Sequence, residues 1–234
     1  MKAIHLLPLA AALFLMPACF IHVDGNGDWD DEHSLHVHSY GHHYSSGNIG
    51  SQTREVETFE RIAVAGGSMH LVVKVGTPQS VYLQGDDGLL RFVETRVEDG
   101  TLVIDVDSQY EPERDFELQI GMDTLKSLDL SGSAGVEIEG VSGTNFDVLI
   151  SGSGSVTARG STDVLAIQVS GSGSVAMDEL HAREAKVNIS GSGDVAVDAS
   201  EKVAITITGS GSVRYRGSPL LEQHISGSGS VSSR

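Results

Sequence analysis

The sequence predicts an all-β fold, a single-stranded parallel β-helix (β-solenoid) with coils of about 18–20 residues. Three observations lead to this prediction. A Gly/Ser motif recurs at a nearly fixed spacing, apolar residues flank it with a period of two, and no stretch around it has the period of a helix. We expect right-handed winding, because crossovers between parallel strands are almost always right-handed.

The motif occurs six times between residues 131 and 231. It reads SGSAGV at 131–136, SGSGSV at 151–156, SGSGSV at 170–175, SGSGDV at 190–195, TGSGSV at 208–213 and SGSGSV at 226–231. Successive copies start 20, 19, 20, 18 and 18 residues apart. One repeat of this length cannot bury its own apolar face, but stacked repeats bury a shared one.

Four apolar columns run through the repeats. In the second copy they hold Val148, Ile150, Val156 and Ala158. All four positions have the same parity, which is typical of a strand with one buried face. Within the motif, we expect the two Ser or Thr residues before the glycines to face inward. The variable segments between motifs, such as 157–163 and 176–184, are predicted to form outer turns.

The N-terminal half shows the same alternation less regularly. Strands are predicted within 58–76, at 80–85, at 101–106 and at 115–120. Asp-Gly turn signals at 86–88 and 98–100 separate them.

Residues 1–18 have the features of an export signal. A positive start is followed by an apolar stretch from Leu6 to Met16, which is too short to span a bilayer. The only cysteine, Cys19, comes directly after Ala18. This arrangement resembles a bacterial lipoprotein signal and predicts lipidation of Cys19 and attachment to a membrane. Phe20 in place of Asp favours the outer membrane by the same resemblance; a secreted or soluble periplasmic protein is the alternative.

Residues 19–55 are predicted to form a flexible tether rich in His and Asp, because no periodicity is sustained there. Its candidate metal ligands for Zn²⁺, Ni²⁺ or Cu²⁺ are His33, His36, His38, His42 and His43. Neutral imidazoles at short spacing can converge on such ions without a fold. The alternative is a polar spacer that holds the domain off a membrane.

Charge and residue placement exclude several function classes. The formal net charge of −17 argues against nucleic acid as a partner, since phosphate binding needs clustered basic residues. No cysteine nucleophile remains once Cys19 is lipidated. Asp147, Asp163 and Asp178 occupy different phases of the repeat, and His70, His181 and His224 are isolated in sequence. We therefore predict no enzymatic activity and no catalytic residues.

The order of elements resembles the bacterial DUF2807 family, also described as the head GIN domain of auto-transporter adhesins. The resemblance rests on 59–64 with Gly66-Gly67-Ser68-Met69, on 81–87, on 98–104 and on the SGSG repeats. It covers about 56–234, which we take as the domain. It implies an exported β-helical domain without an established biochemical activity.

The sequence therefore predicts a non-enzymatic, lipid-anchored cell-envelope protein with a role in surface interaction, adhesion or structure. An unknown protein or cell-surface molecule is its expected partner. The alternative is a periplasmic or surface metal-binding lipoprotein that acts through its His-rich tether. Because no capping segment follows the last motif, we also expect self-association through the uncapped C-terminal coil.

Overall fold

The computed structural model describes residues 46–106 and 115–234, which form a β-solenoid. The predicted signal at 1–18, Cys19 and the five tether histidines lie outside the described residues. In chain order the strands are β1 (Ile49–Thr53), β2 (Arg61–Gly66), β3 (Met69–Val75), β4 (Ser80–Asp86), β5 (Val93–Glu98), β6 (Thr101–Val106), β7 (Phe116–Met122), β8 (Ser127–Gly132), β9 (Gly135–Gly152), β10 (Ser155–Gly171), β11 (Ser174–Gly191), β12 (Asp194–Gly209), β13 (Ser212–Arg216), β14 (Leu220–Gly227) and β15 (Ser230–Ser233).

From β8 onward, each coil pairs in parallel with the next, and the motif stays in register. Val136 pairs with Val156, Val156 with Val175, and Val175 with Val195. Each coil has two straight strand segments. The longer one, which we call the long arm, is equivalent to 145–152 and ends at the first glycine of the motif. The shorter one, the short arm, is equivalent to 155–158 and follows the second glycine. The predicted parallel β-helix is confirmed.

The four apolar columns form the core. Val148, Ile150, Val156 and Ala158 are each at most 2% exposed. Their equivalents in the next two coils are buried as well. Because like side chains stack at the strand spacing of about 4.8 Å, each added coil extends a continuous aliphatic core.

Two local expectations were wrong. Within the motif, Ser151 and Ser153 are exposed, whereas Gly154 is buried. Alternate residues of a strand face the same side, so Gly152 and Gly154, not the serines, lie on the same face as Ile150 and Val156. The segments 157–163 and 176–184 are not separate outer turns but lie inside β10 and β11. They round the coil corners with only local shifts in register.

The N-terminal half adds two rungs to the stack in an order that differs from the sequence. β2 lies between β6 and β8, and β3 lies between β7 and β9, all in parallel. Antiparallel strands complete this end, with β5 beside β6, β4 beside β7 and β1 beside β4. The period of two predicted strands at β2, β3, β4, β6 and β7 but not their direction.

Strand β1 lies inside the range 19–55 predicted as tether. Its residues pair with β4 from Ile49 opposite Asp86 to Thr53 opposite Tyr82. The folded domain therefore extends to the N-terminal side of residue 56, because backbone pairing on the free edge of β4 orders this segment.

The last coil is the least covered part of the described solenoid. β14 pairs only with β12, and β15 only with β13, within the residues described. Ile225 is 36% exposed and Leu220 is 65% exposed. The last coil thus leaves backbone groups along one side of the described stack open.

Candidate binding surface

The outward side chains of the coil corners form ion pairs between neighbouring coils. Arg183 Nε lies 2.9 Å from Glu201 Oε1, and its Nη2 lies 3.1 Å from Glu201 Oε2. Arg159 Nε lies 2.9 Å from Glu179 Oε2. We call these pairs the corner ion pairs. They join positions 18 and 20 residues apart, which is one coil.

The pair of Arg183 and Glu201 shifts the titration of both groups. The hydrogen bond from Arg183 lowers the pKa of Glu201 below its ordinary value, because it stabilises the carboxylate. The same bond raises the pKa of Arg183. Both side chains are open to solvent, so the pair is one of the weakly stabilising surface type.

The aspartates considered as catalytic candidates do not converge on one another. Asp163 Oδ1 lies 3.7 Å from Arg183 Nη1, and Asp178 Oδ2 lies 2.8 Å from Arg234 Nη1. Asp147 is exposed on a long arm. Within 46–106 and 115–234, no group of three His, Cys, Asp or Glu side chains is arranged to hold a metal ion.

The structure brings His181 to a partner that sequence reasoning missed. Its Nδ1 lies 2.5 Å from Asp198 Oδ2, and the two residues pair in adjacent strands. Their separation of 17 residues is close to one coil, which is the signal that could have found the pair. His70 Nε2 lies 3.9 Å from Glu137 Oε1, and His224 is exposed on β14.

A groove of about 390 Å³ lies on the outer surface of the sheet of β4, β7 and β3. We call it the Tyr82 groove. Two adjacent rows of paired residues line it. One row holds Tyr82, Gln119 and Val72, and the other holds Ser80, Gly121 and Lys74.

The turn at 76–79 forms one side of this groove and is fixed by hydrogen bonds. Gln79 Nε2 donates to Glu57 O at 3.0 Å and to Val56 O at 3.2 Å. Thr77 Oγ1 donates to Lys74 O at 2.8 Å. A Cβ at Gly121 would lie 2.5 Å from Pro78 O, so only glycine lets the turn lie this close to the sheet. The groove is therefore preformed.

Family and structure comparisons agree with this architecture. The sequence profile described as "DUF2807: Putative auto-transporter adhesin, head GIN domain" matches residues 58–219. The chain belongs to the DUF2807 family. The match begins just before β2 and ends just before β14, so it contains the Tyr82 groove and the corner ion pairs. A comparison with curated proteins found no match to this chain.

Three solved structures are similar to this DUF2807 chain. A putative adhesin from Bacteroides fragilis is 19% identical, with a TM-score of 0.68, over 82% of this chain and 99% of that one. A putative lipid binding protein from Parabacteroides distasonis is 23% identical, with a TM-score of 0.49, over 81% of this chain and 98% of that one. A putative adhesin from the same species is 18% identical, with a TM-score of 0.47, over 83% and 100%. The Bacteroides fragilis protein shares the fold of this chain.

The description of the family names adhesion, which is a property of exported or cell-surface proteins. In the described part of the chain, no helix has the length and apolar character needed to cross a membrane.

Proposed function

We propose that this DUF2807 chain is an exported cell-envelope protein whose solenoid binds a surface or partner without catalysing a reaction. The observation that carries the proposal is the family match over 58–219, a family described by adhesion. The geometry is compatible, because the coil corners are ion-paired and the described outer surface includes a preformed groove.

The non-enzymatic part of the proposal is supported by how the carboxylates are used. Most glycoside-cleaving sites need two carboxyl groups that face each other across the scissile bond. Here Asp163, Asp178, Glu179 and Glu201 each lie beside an arginine of another coil. Such pairing suits a structural role.

The adhesion proposal is tested by binding to cells. Cells that express the chain are compared with cells that lack it for attachment to an immobilised host or bacterial surface, with the purified chain added as a competitor. We expect expression to increase attachment and the competitor to reduce it. Equal attachment of both strains to every surface tested would contradict the proposal.

The anchor is proposed to be a lipid on Cys19, placed in the outer membrane. Feeding cells an alkyne fatty acid should label the wild-type chain in the membrane fraction and leave Cys19→Ser unlabelled. Ser39→Ala is the matched control and should be labelled like the wild type. An unlabelled wild-type chain would reject the anchor while leaving the adhesion assay unaffected.

A metal-binding role for the His-rich segment is the second candidate, favoured by five histidines within eleven residues. Calorimetry with Zn²⁺, Ni²⁺ and Cu²⁺ compares the wild type with a variant in which His33, His36, His38, His42 and His43 are alanine. A dissociation constant tighter than about 1 μM that is lost in the variant would support this role. Replacing His181 and His224 by alanine is the control and should leave the affinity unchanged.

Self-association through the last coil stays a prediction. We expect the open side of β14 to pair with a second copy, since unpaired strand edges template further pairing. Light scattering of the purified chain at high micromolar concentration is the test. A strictly monomeric chain would contradict the prediction.

A further inference from the structure

Four polar side-chain groups line the Tyr82 groove without a partner in the described region. They are the Tyr82 hydroxyl, the Gln119 amide, the Ser80 hydroxyl and the Lys74 ammonium. None has a hydrogen bond or an ion pair to another residue within the described part of the chain. Lys74 shares this lack of a partner with the exposed Lys186 and Arg214, whereas Lys126, Arg159, Arg183 and Lys202 are ion-paired to another coil. These groups are available to a ligand.

The groove also offers apolar surface beside these groups. Tyr82 and Val72 are half-buried on either side of Gln119 in one row, and Pro78 lies above Gly121 in the turn. A tyrosine ring supplies a large apolar face at a small cost in conformational entropy. Binding sites for small molecules commonly combine such a face with a few placed polar groups.

The mixture of donors and acceptors indicates the chemistry of the ligand. An amide and two hydroxyls both donate and accept, which matches a polyhydroxyl molecule. One ammonium alone does not make an anion site in a chain of net charge −17, whose field repels anions. Glu139, which pairs in register with Lys74, adds to that repulsion. A neutral ligand is not subject to this electrostatic repulsion.

We infer that the Tyr82 groove binds a neutral hexose unit of a glycan. The sugar ring stacks on Tyr82, and Gln119, Ser80 and Lys74 hydrogen-bond its hydroxyl groups. The turn at 76–79 forms one wall of the site, and Gly121 lets that turn lie close to the sheet. The inference rests on the proposed surface-binding function, for which it names the ligand class.

The test is saturation-transfer NMR of the purified chain with methyl glycosides of glucose, galactose, mannose and N-acetylglucosamine. Methyl glucuronoside and N-acetylneuraminic acid form the anionic arm. We expect transfer to at least one neutral glycoside, with a dissociation constant on the order of 1 mM. Tyr82→Ala and Gln119→Ala should each weaken binding by about tenfold or more. Gln168→Ala, an exposed glutamine on a long arm, is the matched control and should bind like the wild type.

Three results would overturn the inference. They are no transfer to any neutral glycoside, transfer only to the anionic sugars, and neutral binding that survives both groove substitutions. Thermal unfolding of each variant checks that the fold is intact, and Tyr82→Phe keeps the ring if Tyr82→Ala destabilises the chain. Cell attachment that persists without sugar binding would reject this inference and leave the surface-binding function standing.

Discussion

At the first glycine of every motif, the backbone φ lies between +120° and +132°. Side chains other than glycine rarely adopt this conformation. Space is a second constraint, because a Cβ at Gly171 would lie 2.4 Å from the carbonyl oxygen of Gly152 in the coil before it. Conformation and interstrand contact therefore both select glycine, which explains why the motif tolerates Thr at its first position but keeps this residue.

Gly171→Ala should destabilise the solenoid by about 2 kcal/mol or more, because strain and a clash with the carbonyl of Gly152 add up. Chemical denaturation followed by circular dichroism measures the loss. Gly67→Ala is the control, because Gly67 has an ordinary φ and a Cβ added there would meet no heavy atom within 4 Å. If both variants unfold at the wild-type midpoint, the steric account of the motif is wrong.

The pair of Arg183 and Glu201 predicts a small pH-dependent effect. Glu201 has a lowered pKa in the folded chain, so its contribution to stability is present above its ordinary value of 4.5 and is lost as pH falls through the lowered value. Glu201→Gln should melt slightly below the wild type at pH 7, and the difference should vanish in acid. Glu55→Gln is the comparison, since Glu55 is exposed and no ion pair joins it to a described residue. A difference that grows in acid would contradict this sign.

At the scale of the strand, two isoleucines of one apolar column differ in burial, and their substitution tests what that burial contributes to stability. Ile189 is 2% exposed in β11, whereas Ile225 holds the same column position in β14 and is 36% exposed. Ile189→Ala should cost about 2–5 kcal/mol, as for buried aliphatic residues. Ile225→Ala should cost far less, because one side of its coil has no covering strand among the described residues. Equal losses in denaturant would mean that the last coil is covered in solution.

Much of this element pattern was readable from the sequence. The period of two located the buried columns, and the spacing of the motif predicted the coils. The antiparallel direction of β1, β4 and β5 was not predicted, because alternation carries no information on strand direction. The turn at Asp99 and Gly100 did carry a signal: both have positive φ and join β5 to β6 as a hairpin.

The candidate site was predicted less well than the fold. Tyr82 and Gln119 meet because β4 pairs with β7, although the two residues are far apart in the sequence and no local pattern specifies that pairing. The corner ion pairs could have been predicted from the sequence. Opposite charges one coil apart, such as Arg183 and Glu201 or Lys202 and Glu222, are the solenoid counterpart of the i, i+4 pairs of a helix.

At the scale of the whole molecule, the coils are interchangeable units. Removing residues 170–189 joins Val169 to Ser190 and keeps every column in phase. We expect this deletion to fold with reduced stability, since solenoid stability sums over coils and their interfaces. Removing 170–179 shifts the columns and should unfold the C-terminal coils. Circular dichroism and proteolysis distinguish the two, and collapse of the in-phase deletion would refute interchangeability.

The in-register parallel stacking also decides how the molecule responds to force. The hydrogen bonds between coils run along the stacking direction, so tension applied between the two ends loads them one coil at a time rather than together. Each coil that peels away releases about 18–20 residues, or roughly 65 Å of extended chain. A protein that attaches a cell to a surface in flowing liquid would thereby lengthen in steps, dissipating the load before its contact with the surface breaks.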